Sequence, residues 1–304
     1  MILLYHNLVP SNAHKGYQLT SLNLDSTAFK NHMQYLVKYF NIVTLDEYVF
    51  EFQKRKSHKK KLIAITFDDG TATSFEYSFP VFHELSIPAT FFVTTCHLVN
   101  NELMPGWYIN ALCFGNIYKN IEINDHRYSL ESSESQLHTR NTLGSILQKS
   151  SNPRDITQSL QISYPIPESL RFLYSGMTKS QFVTAINSQL IEIGAHTVTH
   201  PCLSNLSIDN QRFEIIESKR ILTELTGKPI QFFAYPSGDY NTDTISVVKE
   251  AGFRAAFAVN PSTITIDSSY EIGRVGIYSP SLLKLKLKAI GVAQLLRQIG
   301  INVG

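Results

Sequence analysis

Leu62-Ile63-Ala64-Ile65-Thr66-Phe67-Asp68-Asp69-Gly70 decides how the rest of this chain is read. The apolar run, β-branched at Ile63, Ile65 and Thr66, reads as a buried strand. It ends in two adjacent carboxylates and a glycine. Neighbouring strand residues point to opposite sides, but the chain turns where a strand ends, so Asp68 and Asp69 can face one cleft. Adjacent carboxylates repel and are tolerated best beside a cation. Taken alone, an Asp-Asp-Gly turn closing a surface loop is the simpler account.

A second stretch changes the balance: Ile191-Glu192-Ile193-Gly194-Ala195-His196-Thr197-Val198-Thr199-His200-Pro201. Another apolar strand runs into a polar loop, here with two histidines four apart. Two imidazoles and a distant carboxylate match the His/His/Asp ligand set of a divalent ion with open positions. A lone His-x-x-x-His is more often an ordinary loop pair. An acid pair and a histidine pair, each at the exit of its own strand, is far rarer by chance.

Outward from Gly70, a helix is expected from about Ser74 to Leu85, stopped before Pro88. Ala89 to Thr95 is then a second buried strand. Strand, helix, strand with short loops is a βαβ unit, so the sheet is parallel. In parallel barrels chemistry gathers at the carboxyl ends of the strands. Asp68, Asp69, His196, His200 and the loop at Pro236 all follow expected strands, which argues for one site.

Thr66-Phe67-Asp68-Asp69-Gly70, then His196-Thr197-Val198-Thr199-His200-Pro201, then Phe233-Ala234-Tyr235-Pro236-Ser237-Gly238-Asp239-Tyr240-Asn241 stand in the order of three known motifs. They resemble those of the polysaccharide deacetylases, the NodB-homology or carbohydrate esterase family 4 group. The similarity covers roughly residues 60 to 260, with an insertion. It implies an α/β fold: a distorted (β/α) barrel of about seven parallel strands with an inserted cap. The chain is then one catalytic domain over 1–304, with the cap at 97–180 and an amphipathic segment at 281–304. The resemblance further implies Zn²⁺, or another divalent transition metal, on Asp69, His196 and His200. Asp68 would be the general base, and the backbone N–H of Ser237 an oxyanion donor. Some members of the family are circularly permuted, with the acid motif moved to an N-terminal Tyr-His. Leu4-Tyr5-His6-Asn7 is similar, and no histidine follows His200, so His6 is the expected acid.

Three departures stand out. The arginine usual in the third motif is Ala234 here, and Arg274 in Glu271-Ile272-Gly273-Arg274-Val275 is expected either to reach the same carboxylate from a neighbouring strand or to sit in a surface or loop ion pair. The aromatic usual after the proline is Ser237. The family's late tryptophan motif has no counterpart, since the only tryptophan is Trp107. The implied reaction is removal of N-acetyl groups from an N-acetylated oligosaccharide or polysaccharide, with release of acetate. An O-acetyl esterase and a non-catalytic glycan binder are the alternatives on this scaffold. Intact Asp68 argues against the binder, which needs no base.

Composition sets the outer limits. Of 304 residues, 43% are hydrophobic and 17% charged, as in a folded globular protein. A net charge of +2 gives no case for nucleic acid. Three cysteines (Cys96, Cys113 and Cys202) are too few for a disulfide framework and fit a reducing compartment. Cys202 lies near His200 and reads as a small apolar neighbour, because the resembled family uses no thiol. Neither a signal peptide nor a run of 18 apolar residues is visible, so a cytoplasmic location is expected. Ser26, Thr44, Thr178 and Ser207 are expected helix caps, the last opening a long helix to Thr226. Lys54 to Lys61 is a basic loop. Within the cap, helices are expected from Gly106, Glu134 and Pro153, with a hairpin turning at Asn124-Asp125. Trp107 or Tyr108 there is expected either to stack on a sugar or to pack the insert. Residues 281–299 carry lysines and apolar residues near helical spacing and no acid, which suggests peripheral contact with an anionic membrane or packing on the barrel.

Overall fold

The computed structural model describes residues 1–11, 22–53, 61–100, 103–123, 125–150, 152–259 and 269–292. The Leu62–Phe67 strand is buried on both faces, with Ile63, Ala64, Ile65 and Phe67 at 0–1% exposure. A strand apolar on both faces belongs in a parallel sheet covered on both sides. Its neighbours are Ile2–Tyr5 and Ala89–Val93, both parallel. The sheet continues through Ile191–Ala195, Phe232–Ala234, Ala255–Ala258 and Ile272–Gly273, every pairing parallel. Val275–Gly276 then pairs with Ile2–Tyr5. One extended segment, 272–276, therefore hydrogen-bonds to both ends of the sheet and draws it nearly closed into a barrel. Asn41–Ile42 adds a short outer pairing to Leu62–Phe67. Counting 272–276 as one strand, seven parallel strands surround the interior, the distorted barrel expected from the sequence.

Alternation along the strands fixes what lies inside. Ile2, Ala64, Phe92, Phe232, Ala234, Phe257 and Ile272 form one buried cluster with Leu45 and Val49 of the Leu45–Gln53 helix. The opposite faces carry Leu3, Ile63, Ile65, Phe91 and Phe233, which pack with helical residues such as Phe29 and Phe82. Extending the inward phase by two residues reaches His6, Asp68, His196 and Arg274. The period of the strands thus aims these side chains at the upper interior of the barrel.

Helix starts follow cap chemistry with small changes. Thr71, Thr178 and Ser207 accept from backbone N–H groups at the next turn. The cap of Ser26–Tyr39 is Asp25, whose carboxylate takes the N–H of Ala28 at 2.8 Å, rather than Ser26. The expected continuous helix from Ser207 to Thr226 is broken by a π-helical turn at Phe213–Glu217. Between the sheet strands Ala89–Val93 and Ile191–Ala195, four helices (Pro105–Phe114, Ser133–Lys149, Pro153–Ser163 and Glu168–Tyr174) and the Asn120–Ile123/His126–Ser129 hairpin build a second apolar cluster. Asn124 of the hairpin turn lies outside the described residues, as do residues 54–60 of the basic run and residues 293–304. Leu282–Ala289 packs Leu285 and Ala289 into the main core, and Lys288 donates to the carbonyl of Gly276. Of its apolar residues Leu285 and Ala289 are buried, while Leu283 and the C-cap Ile290 stay exposed. Among the described residues no helix is long and apolar enough to cross a membrane.

Candidate metal and catalytic centre

Each site residue follows a strand. Asp68 and Asp69 leave Leu62–Phe67, His196 leaves Ile191–Ala195, Ser237 follows Phe232–Ala234, and His6 follows Ile2–Tyr5. Asp69, Thr197, His200 and Ser237 all have left-handed φ, between 55° and 75°. Such conformations cost roughly 1–3 kcal/mol each and persist where the surroundings enforce them. Here they turn three loops sharply back over the barrel mouth. Gly70 and Gly238 take the same conformation beside them.

The ligand atoms of Asp69, His196 and His200 lie within 4.8 Å of one another. Asp69 Oδ1 is 3.5 Å from His196 Nε2 and 3.4 Å from His200 Nε2. It is buried and makes no hydrogen bond. His196 Nδ1 donates to the carbonyl of Ala234 at 2.8 Å, which leaves Nε2 as the free lone pair. A buried orphan carboxylate oxygen facing two imidazole nitrogens suits a divalent cation such as Zn²⁺. Burial favours the neutral form of Asp69, yet His196, His200 and His6 hold its carboxyl well below the usual range. Burial lowers His200 to about 4 against the pull of Asp69, so its imidazole is neutral and able to ligate.

Asp68 is held separately. Arg274 grips it with two bonds, Nη1 to Oδ1 at 2.6 Å and Nη2 to Oδ2 at 2.7 Å. Both side chains are at most 2% exposed. The guanidinium also lies over the ring of Phe92, 5.1 Å from its centroid. Arg274 sits in the segment that joins the sheet's ends, so barrel closure delivers it to the acid. Burial would raise the Asp68 carboxyl, but Arg274, His196 and His6 hold it below its ordinary value. The structure thus brings an arginine to the carboxylate from a position other than Ala234, whose backbone carbonyl is occupied by His196.

His6 lies close enough to feel Asp69, Asp68, Arg274 and His196, and burial pulls its pKa below the ordinary value. Its Nδ1 is buried without a hydrogen bond. Ser237 lines the same cleft as Asp69 and His200, a space of about 140 Å³ walled by Trp107, Asn110, Arg140, Leu147 and Gln148. Cys202 also borders it but is outside the ligand cluster.

Three features escaped sequence reasoning. Glu214, in the π-helical turn, accepts the N–H groups of Val198 and Thr199 and the hydroxyl of Thr199, bracing the histidine loop from behind. Nothing in its neighbourhood in the sequence signals that turn. His97 is 1% exposed with neither ring nitrogen hydrogen-bonded, and burial lowers it to about 3. Trp107 donates its indole N–H to Asp69 Oδ2 at 2.9 Å. It is 2% exposed and stacks on Tyr174, while Tyr108 is fully buried. Both rings pack the insert, the second of the two roles expected for them.

The comparisons with known proteins agree with this geometry. The polysaccharide deacetylase family model matches residues 55–256. The chain is similar to the poly-beta-1,6-N-acetyl-D-glucosamine N-deacetylase of Staphylococcus aureus (strain MRSA252), 20% identical over 260 residues that cover 85% of this chain and 69% of that protein. Its fold is similar to that of the Streptococcus pyogenes deacetylase PplD in complex with acetate, with a TM-score of 0.59, 17% identity and 91% of each chain covered. It is equally similar to IcaB from Ammonifex degensii, with a TM-score of 0.59, 17% identity and 95% of each chain covered. The match over the strands that carry the acid pair, the histidine pair and the Pro236 loop has one consequence: this chain belongs to the polysaccharide deacetylase family of hydrolases.

Proposed function

We propose that this chain removes N-acetyl groups from an amino-sugar glycan, using a divalent transition metal such as Zn²⁺ held by Asp69, His196 and His200. The observation that carries the reading is the juxtaposition of that ligand cluster with a second carboxylate, Asp68, clamped by Arg274 and kept off it. When bound, the ion supplies Lewis acidity and brings the pKa of a water toward neutrality. Asp68, held ionised, takes the proton of the attacking water as general base. Arg274 fixes the plane of that carboxylate. The backbone N–H of Ser237 donates to the oxygen on which negative charge develops; one such donor is worth about 3 kcal/mol of barrier. His6, on the strand next to that of Asp68, protonates the departing amine. The glycan reaches these groups through the cleft under Trp107, Asn110 and Arg140, in the segment that we assign as the substrate-covering cap of a single catalytic domain. The substrate in the name of the Staphylococcus aureus relative and the acetate bound by PplD support an N-acetylated glycan.

Acetate release from N-acetylated glucosamine oligomers, beside O-acetylated sugars, tests the reading. Metal-stripped protein, Zn²⁺-restored protein and Asp68→Asn are compared. The expected result is metal-restorable release from the amide substrates, lowered by at least about 10²-fold in Asp68→Asn. Release that survives both chelation and Asp68→Asn overturns it. Release from the esters alone would make the chain an O-acetyl esterase.

A further inference from the structure

The two oxygens of Asp69 have different surroundings. Oδ1 faces His196 and His200 and makes no hydrogen bond. Oδ2 is taken by the indole N–H of Trp107. That indole does not belong to the barrel. It lies on Pro105–Phe114, a helix buried along almost its whole length, and stacks on Tyr174 with centroids 5.3 Å apart and planes at 26°. Its position is set by the second apolar cluster, together with Tyr108, Leu112 and Leu160.

We propose that Trp107 is a positioning residue for the metal carboxylate: its N–H occupies Oδ2, so that Asp69 offers Oδ1 alone and metal affinity depends on how the inserted segment packs. The proposal rests on the reading that Asp69, His196 and His200 hold a divalent ion. An unrestrained carboxylate can present both oxygens to a cation and fill two positions. A donor fixed on one oxygen sets the plane of the group and keeps the other positions open for water and substrate. An indole is suited to this because it donates without charge. A lysine or arginine there would form an ion pair and weaken the anion's hold on a cation, whereas a neutral donor leaves the full negative charge. Through this bond the inserted segment reaches a ligand cluster that is otherwise built on the barrel loops.

Trp107 is the only tryptophan in the sequence, which makes it its own reporter. Metal-stripped protein is titrated with Zn²⁺ and followed by calorimetry and by the single indole N–H resonance of ¹⁵N-labelled protein. The resonance is expected to shift on Zn²⁺ addition, and to move in Asp69→Asn even without metal. Trp107→Phe, which keeps a ring on Tyr174 but no donor, is expected to weaken Zn²⁺ binding roughly 10–100-fold. The indole measurement stands whether or not Trp107→Phe folds. Zn²⁺ binding to the wild type with a silent indole resonance and undiminished affinity in Trp107→Phe overturns the proposal and leaves the metal site intact. Failure of the wild type to bind Zn²⁺ overturns both.

Discussion

Replacing Arg274 with methionine removes both bonds to Asp68, at 2.6 and 2.7 Å, and leaves a carboxylate of 2% exposure without its cation. Removing one partner of a buried pair costs about 3–5 kcal/mol, because the remaining charge has neither water nor counter-charge. The pH dependence follows from the direction of the Asp68 shift. In the wild type its folded pKa lies below 3.8, so the pair's contribution is present above that value and is lost as pH falls through the lower folded pKa. In Arg274→Met, burial dominates and the folded pKa rises. The variant then binds a proton more tightly folded than unfolded, and loses stability as pH increases through its raised pKa. The gap between wild type and variant should be small near pH 4 and reach about 3 kcal/mol at pH 7. Urea unfolding of wild type, Arg274→Met, Asp68→Asn and the double variant at both pH values measures it. The double variant should be more stable at pH 7 than Arg274→Met alone, with a coupling of at least about 2 kcal/mol, whereas independent sites add to within about 0.5 kcal/mol. Additivity, or a gap that does not change with pH, would refute the argument.

Other expectations follow from single contacts. Glu214→Ala frees two backbone N–H groups and a hydroxyl behind the histidine loop; each costs about 1–3 kcal/mol where it stays buried. A lower melting temperature together with weaker Zn²⁺ binding is expected, and unchanged affinity would show that His200 does not depend on this brace. Burial raises Glu192, at the other end of the barrel, to about 7, with Thr90 as its hydrogen-bond partner. A carboxyl raised in the folded state stabilises at low pH and loses that contribution as pH rises through about 7. Glu192→Gln should therefore raise the melting temperature more at pH 8 than at pH 5.5, and equal gains at both would count against it. His6→Gln should lower the turnover of N-acetylated substrate by about 10²-fold or more while sparing Zn²⁺ affinity, as measured by acetate release beside calorimetry.

The legible and the hidden parts of this molecule divide along physical lines. The apolar runs at 62–67, 89–93 and 191–195 name buried parallel strands, because only a doubly covered sheet takes strands without a polar face. Their two-residue period then predicts which side Asp68 and His196 face. His6 continues the inward phase of Ile2 and Leu4, which brings it within the influence of Asp68 and Asp69. For Trp107 the sequence left stacking on a sugar and packing of the insert open, because exposure is not written in a residue's type. An aromatic beside a cleft stacks on ligand or packs inward according to neighbours such as Tyr174, 67 positions away.

By itself the sequence determined the strand set and the carboxyl-end placement of the acid and histidine pairs, because these follow from local alternation, and three motifs in order along the chain named Asp69, His196 and His200 as candidate ligands. The tertiary structure decided how the site's charges are paired, including whether Arg274, a candidate from the sequence, reaches Asp68 or stays in a surface ion pair. Arg274 reaches Asp68 across 206 positions because the 272–276 segment joins the ends of the sheet, and Trp107 reaches Asp69 across 38 because an inserted helix packs over the barrel mouth. Glu214 reaches the histidine loop through a π-helical turn that no local propensity announces. Such partners are chosen by the geometry of closure and packing, which residue types and spacing along the chain do not encode.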